Sequence, residues 1–382
     1  MACFLEKNNL SFNVAGDPKN LIQSVCPDSE LAKQLTFGRT KAHTIVTNVT
    51  GKAAYRKLLD KLRNENFSLI ADEISDCTDV ALHRTCKEFF EKENIPYKQN
   101  MIGFAWDRAN NMFGEYVSLA VLFAKDIPNL FIMKCICHSF HMCFSYACKE
   151  LPRGEEDFAR DVYNYLKNSP KRLDDYQDFQ KFLNIKPNKL LHPSQTRWLS
   201  LLPVVERFIE QLAALTLYFK NAVLGDRLLA ANSILEKCLA PSTILYLQFL
   251  KFALPYFYDL NKEMQSESSK LFVLYEKVFT TYKTILCFIK PECLELSAAE
   301  KEASTNYLGS LETKILNIKY ESKINHLPYD QVYLEGDVLA LLSQEEFVRD
   351  IGEAEVHNFI QKCVLFYTMS VKQIRNRFPF ED

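Results

Sequence analysis

Between Phe67 and Leu151 the chain alternates short apolar runs with amphipathic ones: Phe67–Ala71, Val80–Lys92, Met101–Trp106, Ala109–Lys125, Leu130–Ile136 and Ser139–Leu151. Short β-rich runs bounded by polar residues read as buried strands, and the stretches between them as helices. The order therefore predicts a compact βαβαβα unit with parallel pairing and right-handed crossovers. The first two strands each run into an acid, Asp72 after Phe67–Ala71 and Asp107 after Met101–Trp106. The carboxyl ends of strands are where an open α/β sheet places its ligand or metal, which puts both aspartates on one sheet rim. Two aspartates on adjacent strands can begin a two-metal phosphoryl-transfer site, which needs hard oxygen ligands for Mg²⁺ and a third carboxylate. No third acid stands in a matching context. The other reading is a pair of strand-end acids bonded to helix N-termini or solvent, and it is preferred.

At Pro152 the alternation stops. The remainder reads as successive helices over Phe158–Asn168, Leu199–Phe219, a proline-interrupted Leu228–Phe257, Lys270–Ile289 and Val356–Phe378, with charged connectors near Asn261–Ser269 and Glu300–Asp330. Before Phe67, a basic segment carries ten Lys and Arg against six Asp and Glu, and its apolar spacing predicts a helix over Thr40–Arg63, weakened by Gly51. The expected organisation is a basic helical segment over 1–66, a mixed unit over 67–152 and a helical domain over 153–382. With 10 glycines in 382 residues, turns are scarce and the fold class is α/β plus all-α, predominantly helical.

The net charge of −2 gives no global footprint for nucleic acid, so DNA binding has to rest on local patches. Twelve cysteines with no leading apolar segment point to free thiols in a soluble intracellular protein. The most apolar stretch, Leu239–Leu260, is broken by Pro241, Gln248, Lys251 and Pro255, which predicts a buried helix pair and no membrane partner. Cys135, Cys137, His138, His141, Cys143 and Cys148 have zinc-ligand chemistry. Their spacing fits no standard finger: Cys135 and Cys137 are expected on one face of a strand and the histidines in the helix after it. Buried thiols are the preferred reading. The run from Lys186 to Trp198, containing Lys189 and Arg197, joins positive charge to an aromatic, as binding of distorted or single-stranded DNA requires. Its alternative is a capped helix start with Trp198 packed in the core. Leu202, Val205, Ile209, Leu212 and Leu215 form an apolar stripe read as core, with Arg207 placed to line the same groove as Arg197.

Arg39-Thr40-Lys41-Ala42, Phe67–Asp76, Ile95-Pro96-Tyr97, Met101–Met112, Cys135-Ile136-Cys137-His138, Thr196-Arg197-Trp198 and Arg207 occur in the order seen in hAT-superfamily transposases. The chain resembles the domesticated, transposase-derived proteins related to that superfamily, over nearly its whole length. The resemblance implies a ribonuclease H-like core interrupted by a large helical insertion, in which Asp72 and Asp107 match the first two metal-binding carboxylates. Cys135 and His138 match a Cys-x-x-His near the scissile phosphate, and Trp198 an aromatic that stacks on a distorted transposon end. The departures are informative. Asp76 runs almost directly into Val80–Lys92, leaving no room for the hairpin such a core normally carries there, so the unit is truncated and its first strand is left at an edge. Arg108 stands where the family has glycine, and its guanidinium competes with Mg²⁺ for Asp107. The third acid and the C-terminal dimerisation region of the family lie past the helical insertion, inside which this chain ends; Glu345 and Glu346 have no context to replace that acid.

The expectation is thus a non-enzymatic, transposase-derived protein with vestigial Asp72 and Asp107. It needs no cofactor, Mg²⁺ entering only with residual activity, and it retains at most nucleic-acid or protein binding. DNA contacts would come from Lys189, Arg197, Trp198, Arg207, Cys135 and His138, and nuclear location follows from the resemblance alone. The alternatives are an active hAT-type transposase supplied with its third acid in trans, and a helical protein-interaction scaffold without DNA binding.

Overall fold

The computed structural model describes residues 1–71, 78–106, 118–152, 154–167, 169–191, 201–226, 229–266, 268, 270–378 and 380. The chain forms two compact units, Met1–Lys134 and Cys135–Asp382. The sequence placed boundaries near residues 66 and 152; the division between the two compact units falls after the third strand.

In the first unit, α1 (Ala2–Lys7), α2 (Gly16–Val25) and α3 (Glu30–Gln34) precede α4 (Arg39–Ile45), and Leu5, Ala15, Phe37 and Ala42 make a small core among them. The helix expected over Thr40–Arg63 is interrupted: α4 passes through a π-helical turn, Val46–Thr50, into α5 (Gly51–Asn64). The wider turn brings the Val46 carbonyl oxygen to 2.6 Å from where a Cβ on residue 51 would stand, so glycine is what closes the turn there.

The sheet follows. Strand β1 (Phe67–Ala71) leads to α6 (Asp79–Lys92) and α7 (Tyr97–Asn100), then β2 (Met101–Trp106), α8 (Leu119–Asp126) and β3 (Phe131–Lys134). The three strands are parallel in the order β1-β2-β3, with Ala71 paired to Trp106 and Trp106 to Lys134. Only residues 72–78 separate β1 from α6, and among the described residues β1 lies at the edge of the sheet. Thr78 and Ser118 start α6 and α8, their hydroxyl oxygens accepting from the amides of Ala81 and Val121. Leu59 of α5, Phe90 of α6, Leu119 and Phe123 of α8 and Met101 and Phe104 of β2 form the core of this unit. Along β1 the burial alternates, leaving Ile70 78% exposed, and Phe131 on β3 is 62% exposed.

Among its described residues the second unit is helical, apart from an isolated antiparallel bridge between Ile289 and His326. It comprises α9 (Ile136–Cys148), α10 (Gly154–Lys167), α11 (Pro170–Phe182), the long α12 (Leu201–Asp226), α13 (Leu229–Leu239), α14 (Pro241–Ala253) and α15 (Pro255–Met264). After these come α16 (Leu271–Ile285), α17 (Pro291–Leu294), α18 (Ala298–Ala303), α19 (Tyr307–Leu316), α20 (Gly336–Leu342), α21 (Glu345–Ile351) and the closing α22 (Glu353–Arg377). Pro241 and Pro255 each open a helix at its first turn, where a missing N–H costs nothing, so the apolar stretch is the buried helix pair its prolines predicted. α22 packs along α9, and Phe140, Phe249, Phe359 and Tyr367 lie in the fully buried centre. Among the described residues no single helix is long and apolar enough to cross a membrane.

Two expectations are corrected. The third strand ends at Lys134 and the following helix begins at Ile136, so Cys135 is an N-cap residue and Cys137 lies in the first helical turn; they share no strand face. The supposed connector over Glu300–Asp330 contains α19 and part of α18, which starts at a capping box: the Ser297 hydroxyl accepts from the Glu300 amide and the Glu300 carboxylate from the Ser297 amide.

Candidate nucleic-acid interface

The basic run that opens at Lys186 is held by a buried polar network. On α12, Val204, Phe208, Gln211, Leu215 and Tyr218 recur at intervals of three and four and are all buried, so Gln211 sits on the buried line of the helix. Its side-chain oxygen accepts from the Tyr176 hydroxyl at 2.9 Å and from Gln180 Nε2 at 2.7 Å, and its own Nε2 donates to the Lys186 carbonyl at 3.1 Å. Gln180 Nε2 also reaches the Asn188 carbonyl at 3.3 Å. Burial drives the Tyr176 hydroxyl far above its ordinary pKa, so it remains a donor.

At the rim, Arg207 donates from Nη1 to the Lys189 carbonyl at 2.9 Å, and its Nε is paired with Glu210 at 3.1 Å. Asn188 Nδ2 donates to the same carboxylate at 2.9 Å. The guanidinium of Arg207 is thus spent on a carbonyl and a carboxylate, and it acts by positioning the Lys186–Leu190 backbone. The exposed side chains of Lys186 and Lys189 carry the available charge. Beside them, α10, α11 and this segment enclose a cavity of about 260 Å³ lined by Tyr163, Lys167, Tyr176, Gln180, Pro187 and Lys189. Arg197 and Trp198 lie outside the described residues, so the structure brings together Lys189 and Arg207 of the expected set and leaves those two aside.

Cys135 and His138 stand at the start of α9. Asn261 of α15 fixes this turn, donating from Nδ2 to the Cys137 carbonyl at 3.0 Å. A hydrogen bond from Cys135, then burial, push the Cys137 thiol well up, and burial pushes Cys143 up to about 12. His141 is lowered to about 4, first by burial and then by His138, and is neutral at pH 7. These are protonated thiols and a neutral imidazole in a helical core. Among the described residues no group of three or more His, Cys, Asp or Glu could hold a metal ion. His141 and Asn261 share with Leu201 and Leu202 of α12 a cavity of about 20 Å³, room for one water, which brings the α9 turn beside the start of α12.

Asp72, Asp107 and Arg108 also lie outside the described residues. The residues just before the two acids, Ala71 and Trp106, are partners in register at the carboxyl ends of adjacent strands.

No protein-family model matches the chain, and no solved structure matches it.

Sequence reasoning missed Tyr176, Gln180 and Gln211. The apolar stripe it followed on α12 was 202, 205, 209, 212 and 215; the parallel line 204, 208, 211, 215 and 218 was equally legible and would have marked Gln211 as a buried polar residue in need of partners.

Proposed function

We propose that this is a non-catalytic protein of hAT-transposase descent that binds DNA. One observation supports the descent most: two parallel neighbouring strands end in register at Ala71 and Trp106, each followed in sequence by an aspartate. Loss of catalysis is the reading favoured by the short link from β1 to α6, too brief for a hairpin, and by Arg108 next to Asp107, whose guanidinium disfavours a metal there. DNA handling is favoured by the two exposed lysines, Lys186 and Lys189, on a backbone held by Arg207 and Gln211. Cys135 and His138 add a polar turn at the head of α9, and any Mg²⁺ would fall to Asp72 and Asp107. Nuclear location belongs to the same proposal. Incubated with hairpin-ended or plasmid DNA and Mg²⁺ or Mn²⁺, the protein is expected to leave every strand intact. Metal-dependent cleavage that disappears in Asp72→Ala would establish the active-transposase reading instead.

One observation favours a protein-binding scaffold as the second reading. Leu271, Phe272 and Tyr275 lie within one turn and a residue of each other on α16 and are exposed, Phe272 to 89%. A salt-insensitive affinity for a protein partner, with no affinity for DNA, would distinguish it.

A further inference from the structure

The positive charge of the N-terminal unit is concentrated on one rod. From Arg39 to Asn64, through α4, the π turn and α5, there are seven Lys and Arg and a single acid, Asp60. Removing them from the chain's 46 basic and 48 acidic residues leaves 39 and 47, a net charge of −8. The near-neutral sum therefore conceals a strongly basic helix in an otherwise acidic sequence.

α5 is anchored along one side and at one end. Leu59 and Leu62 enter the core beneath the sheet. Arg63 donates through Nε and Nη2 to the Glu93 carbonyl at 2.9 and 2.6 Å, and Asn100 Nδ2 caps the carbonyls of Leu62 and Arg63 at 3.1 and 3.0 Å. Asp60 accepts from Asn64. Lys52, Arg56, Lys57 and Lys61 remain, all exposed, with no carboxylate in ion-pair contact among the described residues. Lys57 and Lys61 lie one turn apart on the side of the helix away from Leu59, and Lys52 and Arg56 lie one turn apart on a second line, about 100° or more round the helix and flanking the buried side. Like charges at that spacing each cost a helix about 0.2–0.5 kcal/mol, and the single acid of α5, Asp60, set three and four residues from Lys57 and Arg56, offsets only part of it. An external polyanion would offset the rest.

We infer that α5 is a docking surface for duplex DNA, with Lys52, Arg56, Lys57 and Lys61 on the phosphates. This rests on the DNA-binding reading above and names its surface. The four charges span about 13 Å of helix, and a duplex presents one phosphate charge per about 1.7 Å of axis. The major groove of B-DNA, about 12 Å wide, admits a helix of this kind, whereas the groove of A-form RNA is too narrow. An anionic membrane needs a broad apolar face free to insert; here Leu59 and Leu62 are committed to the core, which leaves Tyr55 and Leu58 as the exposed large apolar side chains of α5.

The test measures fluorescence anisotropy of the full chain with duplex DNA, duplex RNA of the same sequence and phosphatidylserine-containing phosphatidylcholine vesicles, across a salt series. It compares the native protein with the fourfold variant Lys52→Ala, Arg56→Ala, Lys57→Ala and Lys61→Ala, and with the corresponding fourfold glutamine variant. Both should fold, because all four side chains are exposed. The expected result is DNA affinity reduced by about 100-fold or more at low salt, and a dependence of log K on log salt shallower by about 3 to 4 in each variant. Variants that bind DNA as the native protein does would overturn this surface and leave the DNA reading intact. A folded native protein without DNA affinity would overturn both, and tighter binding to the RNA or the vesicles would overturn the choice of DNA.

Discussion

Gln211 is fully buried, and its amide serves the Tyr176 hydroxyl, the Gln180 amide and the Lys186 carbonyl at once. Gln211→Leu keeps the volume and strands these groups, each worth about 1–3 kcal/mol when buried unpaired. The variant is expected to lose about 3 kcal/mol of stability in denaturant and to exchange amide hydrogens faster over Lys186–Leu190. Lys189 and Arg207 were legible in the sequence as charges; that Arg207 spends its charge on Glu210 and the Lys189 carbonyl was not, because the pairing depends on how α12 meets the loop. In the N-terminal unit, Asp126 lies 3.1 Å from His83 Nε2 and 3.2 Å from Lys87 Nζ, and accepts from the Tyr97 hydroxyl at 3.2 Å. Burial lowers the pKa of His83 below 6.5 despite the neighbouring carboxylate. Burial would raise Asp126, but hydrogen bonding and charge from Lys87 outweigh it and hold the pKa below 3.8. Both groups bind protons more readily unfolded, so their contribution is complete above about pH 7, begins to fall below 6.5 with His83 and falls further below 3.8 with Asp126. Urea midpoints of the native protein should drop between pH 7.5 and pH 5.5, and His83→Gln should flatten that drop.

At the scale of elements, the parallel strands, the prolines that open α14 and α15 and the long closing helix were all legible from apolar runs and their punctuation. The start of α9 was not, since Ile136-Cys137 reads as strand until Asn261, far away in sequence, fixes the Cys137 carbonyl in a helical turn. α11 was missed although Ser169 and Pro170 announce it, the Ser169 hydroxyl accepting from the Arg172 amide. α18 and α19 were hidden by charge, which marks a solvated helical face as readily as a loop. Gly51 was read as a weakness of a continuous helix, and it is the residue the π turn requires. An exposed helical Gly→Ala change ordinarily gains roughly 0.5–1 kcal/mol. Gly51→Ala is expected instead to cost about 1–3 kcal/mol by thrusting Cβ against the Val46 carbonyl, measured as a lower thermal midpoint of the N-terminal unit.

For the whole molecule, composition sets the class correctly: few glycines, a predominantly helical chain and a small parallel sheet. Net charge conceals what the distribution reveals, because the basic segment ending at Asn64 and the acidic remainder nearly cancel. A chain so divided should associate with DNA through local contacts whose strength collapses as salt is added, and should do so without cutting it. The measurement that bears most directly on this is anisotropy of the folded full chain with duplex, hairpin-ended and single-stranded DNA at two salt concentrations, alongside Trp198→Ala. Binding is expected to weaken by at least about 100-fold between roughly 50 and 200 mM salt, which the four phosphate contacts of α5 alone require, with Trp198→Ala reducing affinity for the hairpin-ended and single-stranded forms. Absence of binding to all three at the lower salt, from protein that melts cooperatively, would contradict it.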